Sequence, residues 1–351
     1  MNLQTIGYNK FFEQEFSIYN NNQVIVGRIV LEHKHLYRVI TEHGELLCEI
    51  SGKLIFQAET REDYPAVGDW VVIKPSVPES KGVIQAILPR QSKFSRKTAG
   101  AVTEEQIVAT NVDTVFLVNS LNDDLNLRRM ERYMLLAWES GANPVIVLTK
   151  SDLCADVQDK VKQVESVALG VPIVVISSVV GTGFDDLKAH LIPGKTVALL
   201  GSSGVGKSTL TNYLLGIEKQ KIQSIRDTDD KGRHTTTHRE LVLLPNGALL
   251  IDTPGMREIQ LWEGGVGIEE SFSDIYELRN HCRYRDCKHE DEPGCAVKGA
   301  IREGLLDMGR FQSYKKLEKE LAYLDRKLNK KAQSDEKKKW KKINKQLKQK
   351  Q

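Results

Sequence analysis

From Gln23 to about Arg90, apolar and polar residues alternate in short runs. Val24–Glu32, Leu36–Thr41, Glu45–Ile50, Trp70–Lys74 and Gly82–Leu88 read as β-strands, parted by turn signals at His43-Gly44, Ser51-Gly52 and Val67-Gly68-Asp69. Five short strands suit a small barrel, with the OB-fold as first choice and any other small β-barrel as the alternative. The pattern then changes. Strand Thr114–Asn119 precedes helix Leu127–Ser140, Pro144–Leu148 precedes a helix near Val157–Leu169, and Pro172–Ile176 precedes one near Phe184–Leu191. Thr196–Leu200 precedes a helix from Gly206 to about Leu215, and strands Glu240–Leu244 and Ala248–Ile251 follow. Strands alternating with helices predict a parallel sheet covered on both faces. Residues 1–21 read as a loose leader and 91–111 as a linker. Near the end, Leu317, Leu321, Leu324 and Leu328 recur at helical spacing, as a packing stripe.

A chain of 351 residues holds two or three domains of ordinary size. With 40% hydrophobic and 28% charged residues it has the composition of a soluble globular protein. No apolar run approaches the ~20 residues of a membrane span, so no membrane partner is expected. Met1–Tyr19 lacks a charged start followed by an apolar core, so the expectation is a cytoplasmic protein without a secretory signal. Charge is uneven. Arg326–Gln351 carries twelve Lys/Arg and two acids, a net of +10, which leaves −7 on the rest of a chain whose total is +3. Such an end reads as a solvated tail or a nucleic-acid contact.

Gly201-Ser202-Ser203-Gly204-Val205-Gly206-Lys207-Ser208 satisfies G-x-x-x-x-G-K-[ST] between a predicted strand and a predicted helix. Its glycines let backbone N–H groups curl around phosphates, and the helix N-terminus adds partial positive charge. Lys207 is expected to reach the β- and γ-phosphates and Ser208 to ligate Mg²⁺, with Thr209 next in the helix. Asp252-Thr253-Pro254-Gly255 ends an apolar strand. The Asp252 carboxylate can hold the Mg²⁺ shell, and the Gly255 N–H can sense the γ-phosphate.

Thr149-Lys150-Ser151-Asp152 also ends a predicted strand, and here the sequence resembles the N/T-K-x-D base-reading motif of the GTPase superfamily. Asp152 would accept from guanine N1–H and the exocyclic amine, a donor pair that adenine lacks. Lys150 would lay its stem along the base, and Ser177-Ser178 at the end of the next strand would support it. Thr149 stands where many GTPases have Asn, and Thr can replace only part of the tie that Asn makes to the phosphate loop. The order is base loop, serine loop, phosphate loop, switch I, switch II, a circular permutation that close-lying domain termini tolerate. Gly232-Arg-His-Thr-Thr-Thr-His238 suits switch I, with Thr236 first and Thr235 second as the Mg²⁺-closing threonine. Met256 occupies the position of the water-orienting Gln of Ras-like enzymes, a task beyond a thioether. His234 and His238 are candidates for it, or are ordinary loop histidines.

Five cysteines in a chain without an export signal point to metal rather than disulfides. Cys282-x₄-Cys287-x-His289-x₅-Cys295 supplies the Cys₃His set of one structural Zn²⁺, closed to substrate. Three free thiols are the alternative, and His281 could compete as a ligand. Arg279, Arg283, Arg285 and Lys288 around the cluster could meet phosphates or be solvated surface.

Taken together, TKSD at 149–152, GSSGVGKST at 201–209, GRHTTTH at 232–238, DTPGMRE at 252–258 and the Cys/His cluster resemble the circularly permuted, small-ribosomal-subunit-dependent GTPases of RsgA type, over about residues 23–330. The run Gln106–Asp113 also fits. The resemblance implies a leader (1–21), an OB-fold barrel (22–92), a permuted GTPase domain (93–260), a helical zinc-binding domain (261–332) and a basic tail (333–351). It implies action late in maturation of the 30S subunit, contact with 16S rRNA near the decoding region, and subunit-stimulated hydrolysis of GTP followed by release. It also carries over the zinc ligands and nucleotide contacts named above, and makes a hydrophobic residue after DTPG ordinary. A GTP-gated RNA-binding scaffold with incidental turnover, or an enzyme with no ribosomal partner, would use the same motifs. A monomer is expected, although no motif sets the oligomeric state.

Overall fold

The computed structural model describes residues 2–19, 23–33, 36–76, 80–97, 105–122, 125–216, 240–252, 266–290 and 292–323. By its internal contacts the chain divides into units 1–260 and 261–351. In the first, strands β1 (Ile25–His33), β2 (Leu36–Thr41), β3 (Gly44–Ile50), β4 (Trp70–Ser76) and β5 (Lys81–Ile87) run in the order β1-β2-β3-β5-β4, and β1 pairs back onto β4 to close a barrel. The β3–β5 pairing is parallel and the others are antiparallel, which is the OB-fold arrangement. Inward positions Ile29, Tyr37, Val39, Cys48, Val71, Ile73 and Ile84 are buried. Each apolar side chain so enclosed contributes about 1.5–3 kcal/mol. The barrel strands fall close to their predicted bounds, because period-2 alternation on a half-buried strand is a direct readout of the fold.

Three segments differ from expectation. The leader is ordered: a turn of 3₁₀ helix (Leu3–Ile6) and helix α1 (Lys10–Ser17), capped by Asn9 Oδ1 accepting from the Phe11 and Phe12 N–H groups, bury Ile6 and Phe12. Tyr8 and Phe12 pack tilted against Trp70 at ring separations of 4.9 and 5.6 Å. A short helix, α2 (Gly52–Gln57), capped by the Ser51 hydroxyl, follows β3 where only a turn was read. The supposed linker contains a ribbon of β6 (Lys93–Lys97) and β7 (Glu105–Thr110), fixed by burial of Phe94 and Ile107–Ala109. Gly68 touches this ribbon so closely that a Cβ would lie 2.2 Å from the Thr110 carbonyl oxygen, and its φ of +98° is left-handed.

The remaining strands form an α/β sheet. They are β8 (Thr114–Ser120), β9 (Asn143–Thr149), β10 (Ile173–Val175), β11 (Thr196–Leu200), β12 (Glu240–Leu243) and β13 (Leu249–Asp252), in the order β10-β9-β8-β11-β13-β12. All pair in parallel except β12 with β13. Helices α3 (Leu127–Glu139), α4 (Val157–Glu165), α5 (Phe184–Lys188) and α6 (Lys207–Leu214) supply the crossovers. Strand β11 is buried along its whole length, as expected where both faces are covered. Barrel and α/β sheet are continuous, because β1 also pairs with β12 at Leu31↔Glu240.

One arginine sits where these parts meet. Arg28 on β1 is 1% exposed and donates from Nε to the Gly68 carbonyl, from Nη1 to Ile6, and from Nη2 to the Asn111 carbonyl and the Thr196 hydroxyl. Burial pulls its pKa down to about 10, opposed by the charges of Asp113 and Asp69, so it remains protonated at neutral pH. The second unit is helical: Val266–Ser271, Ser273–Asn280, Ala296–Arg302 and a helix over 308–323. Arg310 clamps Asp274 with two bonds of 2.7 Å, and the predicted packing residues Leu317 and Leu321 are buried. Leu324, Leu328 and the basic end lie outside the described residues. Among the described residues, no helix is long and apolar enough to cross a membrane. Replacing Arg28 with Met withdraws the guanidinium from four buried acceptors, of which the Gly68 carbonyl keeps the Asn111 Nδ2 donor, so a loss of about 3 kcal/mol or more in unfolding free energy is expected from urea titration.

Candidate functional site

Strand β11 runs into Gly201, and the chain turns through Gly206 to open α6 at Lys207. Gly201 packs against β8, where a Cβ would come within 2.3 Å of the Val118 carbonyl oxygen. Gly204 and Gly206 have φ of +79° and +98°. Val205 is buried beneath the loop, while Ser203, Gly204, Ser208 and Thr209 are exposed at its mouth. Lys207 lies across the loop, its Nζ donating to the carbonyls of Gly201 at 2.6 Å and Ser202 at 2.5 Å. A ring of backbone amides, a helix N-terminus and a lysine at one mouth is suited to polyphosphate.

The predicted base loop lies against it. Thr149, 3% exposed at the end of β9, donates its hydroxyl to the Val205 carbonyl at 2.6 Å. The tie expected to be partial is thus one short buried bond. Lys150 adds a second, from Nζ to the Gly204 carbonyl at 2.7 Å, with a left-handed φ of 58° that turns the chain off the strand. Asp152 follows in a 3₁₀ turn (Ser151–Leu153), and its carboxylate accepts from the Ser177 hydroxyl at 2.5 Å. The Ser177 oxygen in turn accepts from the Val180 N–H, which fixes the serine loop, and Ser178 beside it is half-buried. The Ser151 N–H donates to the Ile176 carbonyl. Thr149–Asp152, Ser177–Ser178 and Gly201–Thr209, scattered over 61 positions of the chain, therefore converge at the ends of β9, β10 and β11.

Asp252 ends β13, the strand beside β11, with its backbone paired to Glu240. Thr236, His234 and Gly255, with Thr235, His238 and Met256, lie outside the described residues. One contributor went unread in the sequence. Asn119, buried at the end of β8, presents its carbonyl 3.3 Å from the Thr149 hydroxyl. A polar Asn-Ser pair closing the apolar run Val115–Val118 was the available signal.

In the second unit the ligand atoms of Cys282, Cys287, His289 and Cys295 all lie within 4.8 Å of one another. Cys282 Sγ is 3.6 Å from His289 Nδ1 and 3.9 Å from Cys295 Sγ, and His289 Nδ1 is 3.4 Å from Cys295 Sγ. Bonds of about 2.3 Å to sulfur and 2.0–2.1 Å to nitrogen in a tetrahedron require edges of about 3.8 and 3.6 Å, so the set fits zinc. Cys295 also caps helix Ala296–Arg302, its sulfur accepting from the Lys298 N–H. His281 is outside this group of converging atoms. Arg279 and Arg283 lie over the rings of Tyr276 and Tyr284 at 5.7 and 5.6 Å.

The family model described as RsgA GTPase matches residues 87–262. A model described as ABC transporter matches 184–350, a span that includes the phosphate loop. Small ribosomal subunit biogenesis GTPase RsgA 1 of Oceanobacillus iheyensis is 46% identical over 349 residues, 99% of each chain. RsgA 2 of Lactiplantibacillus plantarum, of the same description, is 46% identical over 325 residues, 92% of this chain and 91% of that one. Among solved structures, YjeQ from Thermotoga maritima matches with a TM-score of 0.63 and 30% identity, over 85% of this chain and 99% of that one. YloQ, described as a circularly permuted GTPase, matches with a TM-score of 0.62 and 25% identity, over 87% and 97%.

Thr149→Val keeps shape but leaves the buried Val205 carbonyl unpaired. It should lower the unfolding free energy by about 1–3 kcal/mol. Lys150→Met, which removes a more exposed bond, should cost less than about 1 kcal/mol in the same urea titration.

Proposed function

Because the chain belongs to the RsgA GTPase family, we propose that it binds the small ribosomal subunit through rRNA, assists late maturation of that subunit, and hydrolyses GTP when the subunit stimulates it. The observation that supports this reading is the pair of bonds from Thr149 and Lys150 to the phosphate loop, the contact expected if Asp152 reads guanine while that loop cradles the phosphates of the same nucleotide. We place the activity in the cytoplasm, performed by a monomer.

In this reading Asp152, steadied by Ser177, accepts from guanine N1–H and the exocyclic amine, and Lys150 covers the base with its stem. Ser178 supports the base from the serine loop. Backbone amides of 201–206 hold the phosphates, and Lys207 exchanges the Gly201 and Ser202 carbonyls for β- and γ-phosphate oxygens. Ser208, Asp252 and Thr236 supply the oxygen ligands for Mg²⁺. When bound, that ion would supply positive charge that neutralises the phosphates. Gly255 reports the γ-phosphate through its N–H. His234 orients the attacking water, since Met256 has no group for the task. Lys207 and the loop amides stabilise negative charge as the terminal phosphoryl group departs to water. The Cys282, Cys287, His289 and Cys295 set holds one Zn²⁺ and leaves no position open, so its role is structural. The basic residues 333–351 favour RNA through phosphate neutralisation.

The test is GTP turnover with and without 30S particles. Saturating particles should raise the wild-type rate about tenfold or more, equivalent to ~1.4 kcal/mol of barrier. Lys207→Ala should lose roughly a hundredfold or more of that rate. Asp152→Asn should lose GTP affinity by about a hundredfold while accepting xanthosine triphosphate, whose carbonyl replaces the amine. A wild-type rate held at background by saturating particles would leave a GTP-gated RNA scaffold as the better description. For the second unit, metal analysis should return one zinc per chain. Cys282→Ser should lose it and melt roughly 10 °C or more lower.

A further inference from the structure

The barrel and the GTPase sheet share one edge. Leu31 of β1 pairs with Glu240 of β12, and on its other side Glu240 pairs with Asp252 of β13. With strands spaced about 4.8 Å apart, two rungs and roughly 10 Å of backbone separate the barrel wall from the Asp252 position. The side chains tighten the same seam. Arg38, on barrel strand β2, reaches over β1 and donates from Nη2 to the Glu240 carboxylate at 2.5 Å, while its Nε lies 3.5 Å from Glu45 of β3.

We infer that Arg38 and Glu240 are positioning residues that couple the barrel, whose OB-fold arrangement is a common oligonucleotide-binding platform, to the strand carrying Asp252, so that RNA of the subunit seated on the barrel changes the rate of hydrolysis through this pair. The inference rests on the subunit-stimulated activity proposed above. The geometry supports transmission rather than docking or folding. Both side chains are only partly exposed, at 38% and 43%, and pairs of that kind contribute little to stability. What the pair does fix is the register of β12 against the barrel. Among the described residues Leu31↔Glu240 is the Cα rung between β1 and β12, and the Arg38–Glu240 clamp lies directly beside it. Glu45 lies 3.5 Å from Arg38 Nε without hydrogen-bonding to it, so Glu240 is the carboxylate that the guanidinium grips.

The experiment measures basal turnover, the maximal 30S-stimulated rate and the particle concentration giving half stimulation, on the full chain. Variants are Arg38→Met, Glu240→Gln, Arg38→Lys and, as a control that spares the seam, Glu45→Gln. Arg38→Met and Glu240→Gln should keep basal turnover within about twofold of wild type and lose roughly fivefold or more of the maximal stimulated rate, with the half-stimulating concentration unchanged, and their combination should lose no more than either alone. Arg38→Lys should recover most of the stimulated rate, and Glu45→Gln should retain it. Wild-type stimulation in Arg38→Met and Glu240→Gln overturns the inference. So does a parallel fall of basal and stimulated rates, which marks a purely structural contact, or a raised half-stimulating concentration at full rate, which marks a docking contact. Absence of stimulation in the wild type instead overturns the proposed function.

Discussion

A guanidinium is a rigid planar fork with five N–H donors and no acceptor, and Arg28 uses that geometry to tie four distant segments of the chain to one buried point. Its partners are the Ile6 carbonyl of the leader, the Gly68 carbonyl of a barrel turn, the Asn111 carbonyl after the ribbon, and the Thr196 hydroxyl at the root of β11. A buried charge is costly unless its bonds are met, so the four segments must arrive together. Thr196 is further held by Asp113, whose carboxylate accepts the Thr196 N–H and the Lys195 ammonium. The strand that delivers the phosphate loop therefore starts from a fixed base, and Leu200 ends at Gly201 with little freedom left.

From that base the parallel sheet does the rest of the positioning. In a doubly covered sheet, ligands sit outside the carboxyl ends of the strands, and here β9, β10 and β11 end in Thr149, Val175 and Leu200 on one side. Permutation changes the order in which those ends are made and leaves their neighbourhood intact, because a hydrogen-bonded ladder depends on which strands lie side by side and in which direction, not on the order in which the chain connects them. The Thr149–Val205 and Lys150–Gly204 bonds then lock two loops that lie 56 and 54 positions apart. Placing Asp252 near the end of the first unit, with 261–351 following it, is the mechanical consequence of the new order.

Legibility followed the range of the forces involved. The barrel strands, the βα alternation and the two loops were readable because periodicity and short motifs are local statements about burial and backbone conformation. The leader was not, since its burial rests on Ile6 and Phe12 meeting Trp70 and the barrel, partners far along the chain. The ribbon of β6 and β7 escaped for a related reason: Lys93, Arg96 and Lys97 mark it as polar, while Phe94 and Ile107 are buried by tertiary packing. Asn119 looked like the end of a strand and became a neighbour of Thr149 only through the β8–β9 pairing.

The sequence by itself determined which chemistries are present: a glycine-rich cradle with Lys207 and Ser208, a carboxylate at Asp152, three thiols and an imidazole within fourteen residues, and the permuted order that identifies the family. Such features are set by residue type and short spacing, and no later packing can alter them. Tertiary structure alone decided that the barrel would join the GTPase sheet edge to edge, that Arg28 would bind four segments, and that Thr149 would complete the phosphate loop. Those outcomes depend on the closing of long loops, whose entropic cost is recovered only when many distant contacts form at once, and one-dimensional pattern carries no record of that sum.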